Sequence, residues 1–450
     1  MTPRRTVIAT ATAALLFAAA VAPSWALTAD EVLAGADARI EQHRTGDAVL
    51  VVTRADGTRV PNGTVAIQQT RHAFLFGCNI YALGKLASPA DNEAYANRFA
   101  ELFNYATTGF YWWSYERKPG RPDYARTQRV VEWAGPHGVA LKGHPLAWNH
   151  GEPKWLPEDP AAIRNAQLAR IAECVRHFGG EVDIWDVVNE ATKWDRETCR
   201  HNAPKLTKAT LEPDRMAFVR DAFRAARCAN PDATLLINDY VVDDSYATEV
   251  IEKLVDAEGK RLYDVIGIQS HQHGGAWGVQ KTWDVCERFA RFNVPLHFTE
   301  TTILSGEPGW ELANRRKDFD WASTPDGEAR QARDVTDFYT ILFSHPAVEA
   351  ITWWDFCDQR AWQRAPAGLL RKDLSPKPAY EALHDLIKGQ WWTKASLETN
   401  ARGEARFRGF YGDYDALITV DGATTERAFS IIKGTTNRIV IRLGVVAEGV

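Results

Sequence analysis

Two different rhythms of apolar and polar positions run along the chain. Residues 47–71 hold two alternating stretches, A-V-L-V-V-T-R-A-D-G-T-R-V and T-V-A-I-Q-Q-T, around Asp56-Gly57. With no helix between them they predict a β-hairpin. Just before it, A-D-E-V-L-A-G-A-D-A-R-I-E-Q-H-R places Ala, Leu and Ile on one helical face. From Phe74 the rhythm becomes strand, loop, helix, and repeats. The eight strand candidates are F-L-F-G-C-N-I, Y-A-T-T-G-F-Y, A-L-K-G-H-P-L-A-W, V-D-I-W-D-V-V-N-E, A-T-L-L-I-N-D-Y, D-V-I-G-I-Q-S-H, P-L-H-F-T-E-T and A-I-T-W-W-D-F. Segments of helical period, such as I-R-N-A-Q-L-A-R-I-A-E-C-V-R-H-F, separate them. Strands that are apolar on both faces and alternate with helices predict a parallel α/β sheet, and eight of them predict a closed (β/α)8 TIM barrel over residues 73–390. No Gly-rich phosphate loop follows any strand, which argues against a nucleotide-binding open sheet.

Beyond the barrel, residues 391–450 alternate again, in F-R-G-F-Y-G-D-Y-D-A-L-I-T-V, R-A-F-S-I-I-K and R-I-V-I-R-L. A lone hairpin is marginally stable. The 47–71 strands and this tail are therefore expected to pack together as a small accessory β domain, with residues 27–72 as the N-terminal helix and hairpin. Residues 1–26 read as an export signal: Arg4 and Arg5, an apolar run too short to span a bilayer, and the small-residue site Ser24-Trp25-Ala26. The mature protein is expected to be secreted or periplasmic, a monomer, and free of the membrane.

Composition narrows the function. The net charge of −5 gives no basis for a nucleic-acid partner. The 17 Trp residues suit stacking surfaces for sugar rings. Six cysteines permit disulfides without selecting a pairing, and buried free thiols are the plainer reading for several. No C-x-x-C or H-E-x-x-H spacing occurs, so neither a metal nor any other cofactor is expected.

The chemistry lies where the apolar strands turn polar. The strand ends carry His144, Trp148 and Asn149, then Asn189 and Glu190, Asn238 and Asp239, Gln269 and His271, Glu300, and finally Trp354 and Asp358. In a parallel barrel these converge at one mouth. Glu190 and Glu300 close the fourth and seventh strands and face each other there. Two carboxyl groups about 5 Å apart are the equipment of a retaining glycosidase. Glu190 is expected to be the acid/base and Glu300 the nucleophile. His271 would hydrogen-bond Glu300, and Asn189 would bind the sugar 2-hydroxyl. His144, Trp148, Trp354 and Trp362 would line the sugar site. The alternatives are a metal-dependent hydrolase using His144, Glu190, Asp239 and His271, and a carbohydrate-binding barrel without turnover.

G-H-P-L-A-W, W-D-V-V-N-E-A, G-I-Q-S-H, the F-T-E strand end and I-T-W-W-D-F-C-D-Q-R-A-W, followed by S-P-K-P-A-Y, resemble glycoside hydrolase family 10, the retaining endo-β-1,4-xylanases. The resemblance covers about residues 74–388. It implies Glu190 as acid/base, Glu300 as nucleophile, and His144, Trp148, Asn189, Gln269, His271, Trp354 and Trp362 as substrate-binding residues, with a polysaccharide or oligosaccharide, xylan by default, as the partner. The chain also departs from the family. Gly109, Phe110 and Trp113 stand where that family carries a polar Glu-Asn…Lys clamp for the glycone, Gly151 replaces a glutamine, and Thr302 an aspartate. These departures widen the substrate expectation to other β-glycosides: a β-glucan, a decorated xylan or a glycosylated metabolite.

Overall fold

A computed structural model describes residues 27–309, 319 and 321–443. The export signal expected at residues 1–26 lies outside the described residues. Eight strands close a parallel barrel: β3 (Leu75–Asn79), β4 (Tyr105–Gly109), β5 (Ala140–His144), β6 (Ile184–Asn189), β7 (Thr234–Asp239), β8 (Val265–Ile268), β9 (Leu296–Thr301) and β10 (Val348–Trp353), with β10 pairing back to β3. All four residues of β8 and all six of β9 are buried, as strands covered by helices outside and by side chains inside must be. The barrel interior is filled rather than hollow. A Cβ on Gly143 would lie 2.2 Å from the Trp185 ring, so only glycine leaves room for that indole. The outer helices start on side-chain caps. Asp159 accepts from the amides of Ala161 and Ala162 ahead of Pro160–His177, and Asp214 from Met216 and Ala217 ahead of Arg215–Ala229. Among the described residues no helix is long and apolar enough to cross a membrane.

The terminal segments form two further sheets. β1 (Thr45–Thr53) lies between β12 (Glu404–Phe410) and β15 (Asn437–Arg442). β2 (Thr64–His72) lies between β11 (Lys394–Glu398) and β13 (Gly412–Val420), with β14 (Ala423–Ile431) outside β13. Leu50 and Val52 of the first sheet and Val65, Ile67, Tyr414 and Ile418 of the second share one apolar core. The predicted 47–71 hairpin is thus corrected: β1 and β2 are not paired edge to edge but belong to opposing sheets. The turn at Asp56-Gly57 closes locally, with Gly57 N–H donating to the Arg54 carbonyl at 3.0 Å, and the chain then crosses the core. Two amphipathic strands joined by a turn satisfy either arrangement, and the tail strands supply each with neighbours in its own sheet. Arg44, buried behind β1, donates to the carbonyls of Phe343 and His345 at 2.6 Å and of Val348 at 2.8 Å, fastening this region to the barrel.

The six thiols are free, five of them buried and Cys228 exposed.

Candidate active site

Glu190 follows β6 directly, in a left-handed conformation (φ 59°, ψ 35°) that costs a non-glycine residue about 1–2 kcal/mol. Its N–H donates to the Asn238 carbonyl at 2.8 Å, which holds the turn and aims the side chain into the barrel mouth. Backbone strain held in place by surrounding structure is a frequent mark of functional positions. Glu300 sits within β9, where the parallel ladder fixes its backbone.

An amide bridge connects the two acids. Gln269 Nε2 donates to Glu190 Oε1 at 3.1 Å and to Asn189 Oδ1 at 3.2 Å. Asn238 Nδ2 donates to the same Asn189 oxygen and to Glu300 Oε1, both at 2.8 Å. Thr299 in turn donates to Asn238 Oδ1 at 2.7 Å, fixing which way that amide points. Asn189 Nδ2 reaches Glu190 Oε1 at 3.4 Å. The other oxygen of Glu300 faces His271 Nε2 at 3.3 Å, and His271 Nδ1 meets the Thr302 hydroxyl at 3.4 Å. Burial pushes His271 down to about 4, with only partial compensation from Glu190. The ring is therefore neutral near pH 7: it can donate from Nε2 to Glu300 while Nδ1 accepts from Thr302.

Beneath Glu300 lies a buried charge relay. Lys142 Nζ and His144 Nδ1 contact Asp186 Oδ2 at 2.8 and 2.7 Å. Burial pushes Asp186 up, but Lys142 and His144 outweigh it and hold the carboxyl below its ordinary value. His144 Nε2 lies 3.8 Å from Glu300 Oε1. Glu300 itself is pushed up to about 7, mainly by burial and further by Asp186 and Glu190, against the pull of His144 and Lys142. The second oxygen of Glu190 is ion-paired with Arg196, and Glu190 holds the guanidinium above its ordinary value although burial opposes this.

The acids open into one cavity of about 1040 Å³. Of the residues predicted to be catalytic or substrate-binding, all except Asn189 line it; Asn189 lies beneath, in the amide bridge. Trp354 stands edge-on to His144 and His271, at 5.4 and 5.9 Å between centroids. Trp362 lies over His271 at 4.7 Å and is 44% exposed, free to receive a ring. Trp148 stacks on His150 at 4.4 Å. Three strand-end groups turn away from the chemistry. Asn149 donates to the Trp194 carbonyl and the Thr207 hydroxyl, Asp239 accepts from the amides of Thr192 and Val241, and Asp358 pairs with Lys377 at 2.6 Å.

The positions that depart from the family are also sorted. Phe110, at one of the family's clamp positions, is fully buried against Trp185, Phe178 and Tyr115 and belongs to the core. Its neighbour Tyr111 lines the cavity instead, with Tyr81 and Trp113. A Cβ on Gly151 would come within 2.9 Å of the Trp113 indole, so glycine at 151 and tryptophan at 113 are one coupled change. Sequence reasoning missed Arg196, Tyr81 and Tyr240, which stand on loops without periodicity. The lysine inside the apolar strand A-L-K-G-H was a visible sign of the relay. Among the described residues, no group of three or more His, Cys, Asp or Glu could hold a metal ion.

Comparison with known proteins places this arrangement. Residues 69–386 match the family model of glycosyl hydrolase family 10. The chain is 26% identical over 394 residues to anti-sigma-I factor RsgI6 of Acetivibrio thermocellus, covering 86% of this chain and 46% of that protein. It is 27% identical over 332 residues to endo-1,4-beta-xylanase B of Thermotoga neapolitana, covering 70% of this chain and 88% of that one. It thus spans under half of the first relative and most of the second. Among solved structures, native xylanase 10B from Thermotoga maritima superposes with a TM-score of 0.57 at 24% identity, covering 71% of this chain and 96% of that chain. A match of this extent to the family model settles the relationship: the chain belongs to glycosyl hydrolase family 10.

Proposed function

We propose that the protein is an exported retaining β-glycosidase that cuts β-1,4-linked plant polysaccharide of the xylan type, with Glu190 as acid/base and Glu300 as nucleophile. The observation that carries the reading is the amide bridge joining two buried glutamates at the mouth of one aromatic-walled cavity. The names of the xylanase relatives support the substrate class, and the leader-like residues 1–26 support export.

In the first step a Glu300 oxygen attacks the anomeric carbon as the bond to the leaving oxygen breaks, and Glu190 gives that oxygen its proton. In the second, Glu190 takes a proton from water, whose oxygen attacks the same carbon and releases Glu300. The pair must therefore hold one proton and one charge. Donation from Asn238 and His271 favours placing the charge on Glu300, against the burial that pushes it up to about 7. The contact of Arg196 with Glu190 opposes the protonated acid, so the arriving leaving group has to take Arg196's place. Proton NMR of the first sugar released from xylo-oligosaccharides tests the reading: the β anomer is expected, and initial release of the α anomer contradicts it. A β-glycoside other than xylan is favoured by one feature, the aromatic replacement of the polar clamp at Trp113. Stronger turnover of β-gluco-oligosaccharides than of xylo-oligosaccharides would select it.

A further inference from the structure

The cleft has a second chemical character that glycoside hydrolysis does not use. At the end formed by the loops after β3, β4 and β10, its lining includes Lys85, Arg126 and Arg360. Lys85 and Arg126 also line an adjoining hollow of about 600 Å³, together with Arg129, Glu93 and Glu132. Three separate segments deliver these cations, so no local helix pattern explains them. Lys85 Nζ donates to the Tyr81 carbonyl at 2.8 Å, and Arg360 Nη1 to the Lys85 carbonyl at 2.9 Å, which ties the two loops together and fixes Lys85 beside the tyrosine wall. Among the described residues no carboxylate comes within ion-pair distance of Lys85, Arg126, Arg129 or Arg360.

The charge balance points the same way. Burial and then repulsion from Arg126, Arg360 and Arg129 push Lys85 down to about 8, with Asp123 pulling it back up. Asp355, which lines the same cavity, is pushed up to about 8, chiefly by burial, and so carries little negative charge near neutrality. Its Oδ1 accepts from the Trp362 amide at 2.8 Å. Cations gathered against one another without a direct ion-pair partner among the described residues, in a cavity shared with the reacting acids, lower their energy when an anion enters.

We propose that this end of the cleft is a subsite for an anionic group carried by the glycan, a uronate carboxylate or a sulfate ester, on the side where the family resemblance puts the glycone. The proposal rests on the glycosidase reading for the identity of the chain that enters. It deepens that reading from a neutral backbone to an acidic, substituted one. The neutral sugars would stack on Trp113 and Tyr111, while Arg126 and Lys85 hold the charge.

Calorimetric titration of the full chain tests this with three probes of equal length: a glucuronate-substituted xylo-oligosaccharide, its carboxyl-reduced counterpart and a sulfated xylo-oligosaccharide. At least one anionic probe is expected to bind about tenfold tighter than the neutral one, with an advantage that fades as salt is raised. Whichever anion shows the advantage identifies the source. In Arg126→Gln/Lys85→Gln the advantage is lost while affinity for the neutral probe stays within about twofold. Arg126→Gln alone, which removes no hydrogen bond, keeps the test open if the double variant folds poorly. Equal affinity for all three probes in the unaltered protein, or an advantage that survives Arg126→Gln in full, overturns the subsite and leaves the glycosidase reading standing. Failure of every probe to bind overturns both.

Discussion

Along the wall built from β6 to β9, all four oxygens of Glu190 and Glu300 have a partner, and the amides that hold them are themselves held. The opposite wall, from the loops after β3, β4 and β10, carries rings, and cations that no carboxylate among the described residues pairs with. The first wall is tied down before any substrate arrives, as bond-breaking chemistry requires. The second is finished only when a ligand fills it. Chemistry and specificity are therefore separable here, and substitutions in the two walls should have different signatures.

The largest effect is expected at the acids. Glu300→Gln should lower kcat by about 10⁴-fold or more with little change in substrate affinity, read by steady-state kinetics and calorimetry. One layer back, Asn238→Ala removes a donor to charged Glu300 and should cost about tenfold to a hundredfold in kcat/KM, nearly all of it in kcat. A change in KM alone would mean that this wall also serves binding.

The other wall should behave in reverse. Gly151→Gln drives a side chain into the Trp113 indole and should raise KM about fivefold while kcat holds. Unchanged KM would show that Trp113 does not touch substrate.

A pH effect on stability sharpens the contrast. The folded-state values of Glu300, about 7, and Asp355, about 8, are raised above those of free carboxyls, so the unfolded chain loses these protons first. The stability they contribute is full below about pH 4 and lost as pH rises through 7 to 8. Glu300→Gln should therefore raise Tm by a few degrees at pH 8 and by little at pH 4.5.

Much of this was legible in the sequence, for reasons that particular residues make plain. A parallel barrel strand is buried on both faces, so V-D-I-W-D-V-V-N-E stands out as an apolar run, and the polar residues that end it can only be at the mouth. Glu190, Asn189, Gln269, His271 and Glu300 were found that way. That Phe110 leaves the clamp position for the core was not legible, because one position past a strand end the chain can turn inward or outward, and Trp185 offers it a core contact. The pairing of β1 was hidden because its partners, β12 and β15, lie at the other end of the chain. Lys85, Arg126 and Arg196 stand on loops or a helix surface, where a cation is ordinary and only the fold shows which ones meet.

The pairing of roles between Glu300 and Glu190 is tested most directly by trapping the intermediate. A 2-deoxy-2-fluoro β-xylobioside with a good leaving group forms the glycosyl ester but slows its hydrolysis. Mass spectrometry of the digested protein should find the sugar on the peptide containing Glu300. Label on any other carboxylate, or full turnover with no label at all, contradicts the account.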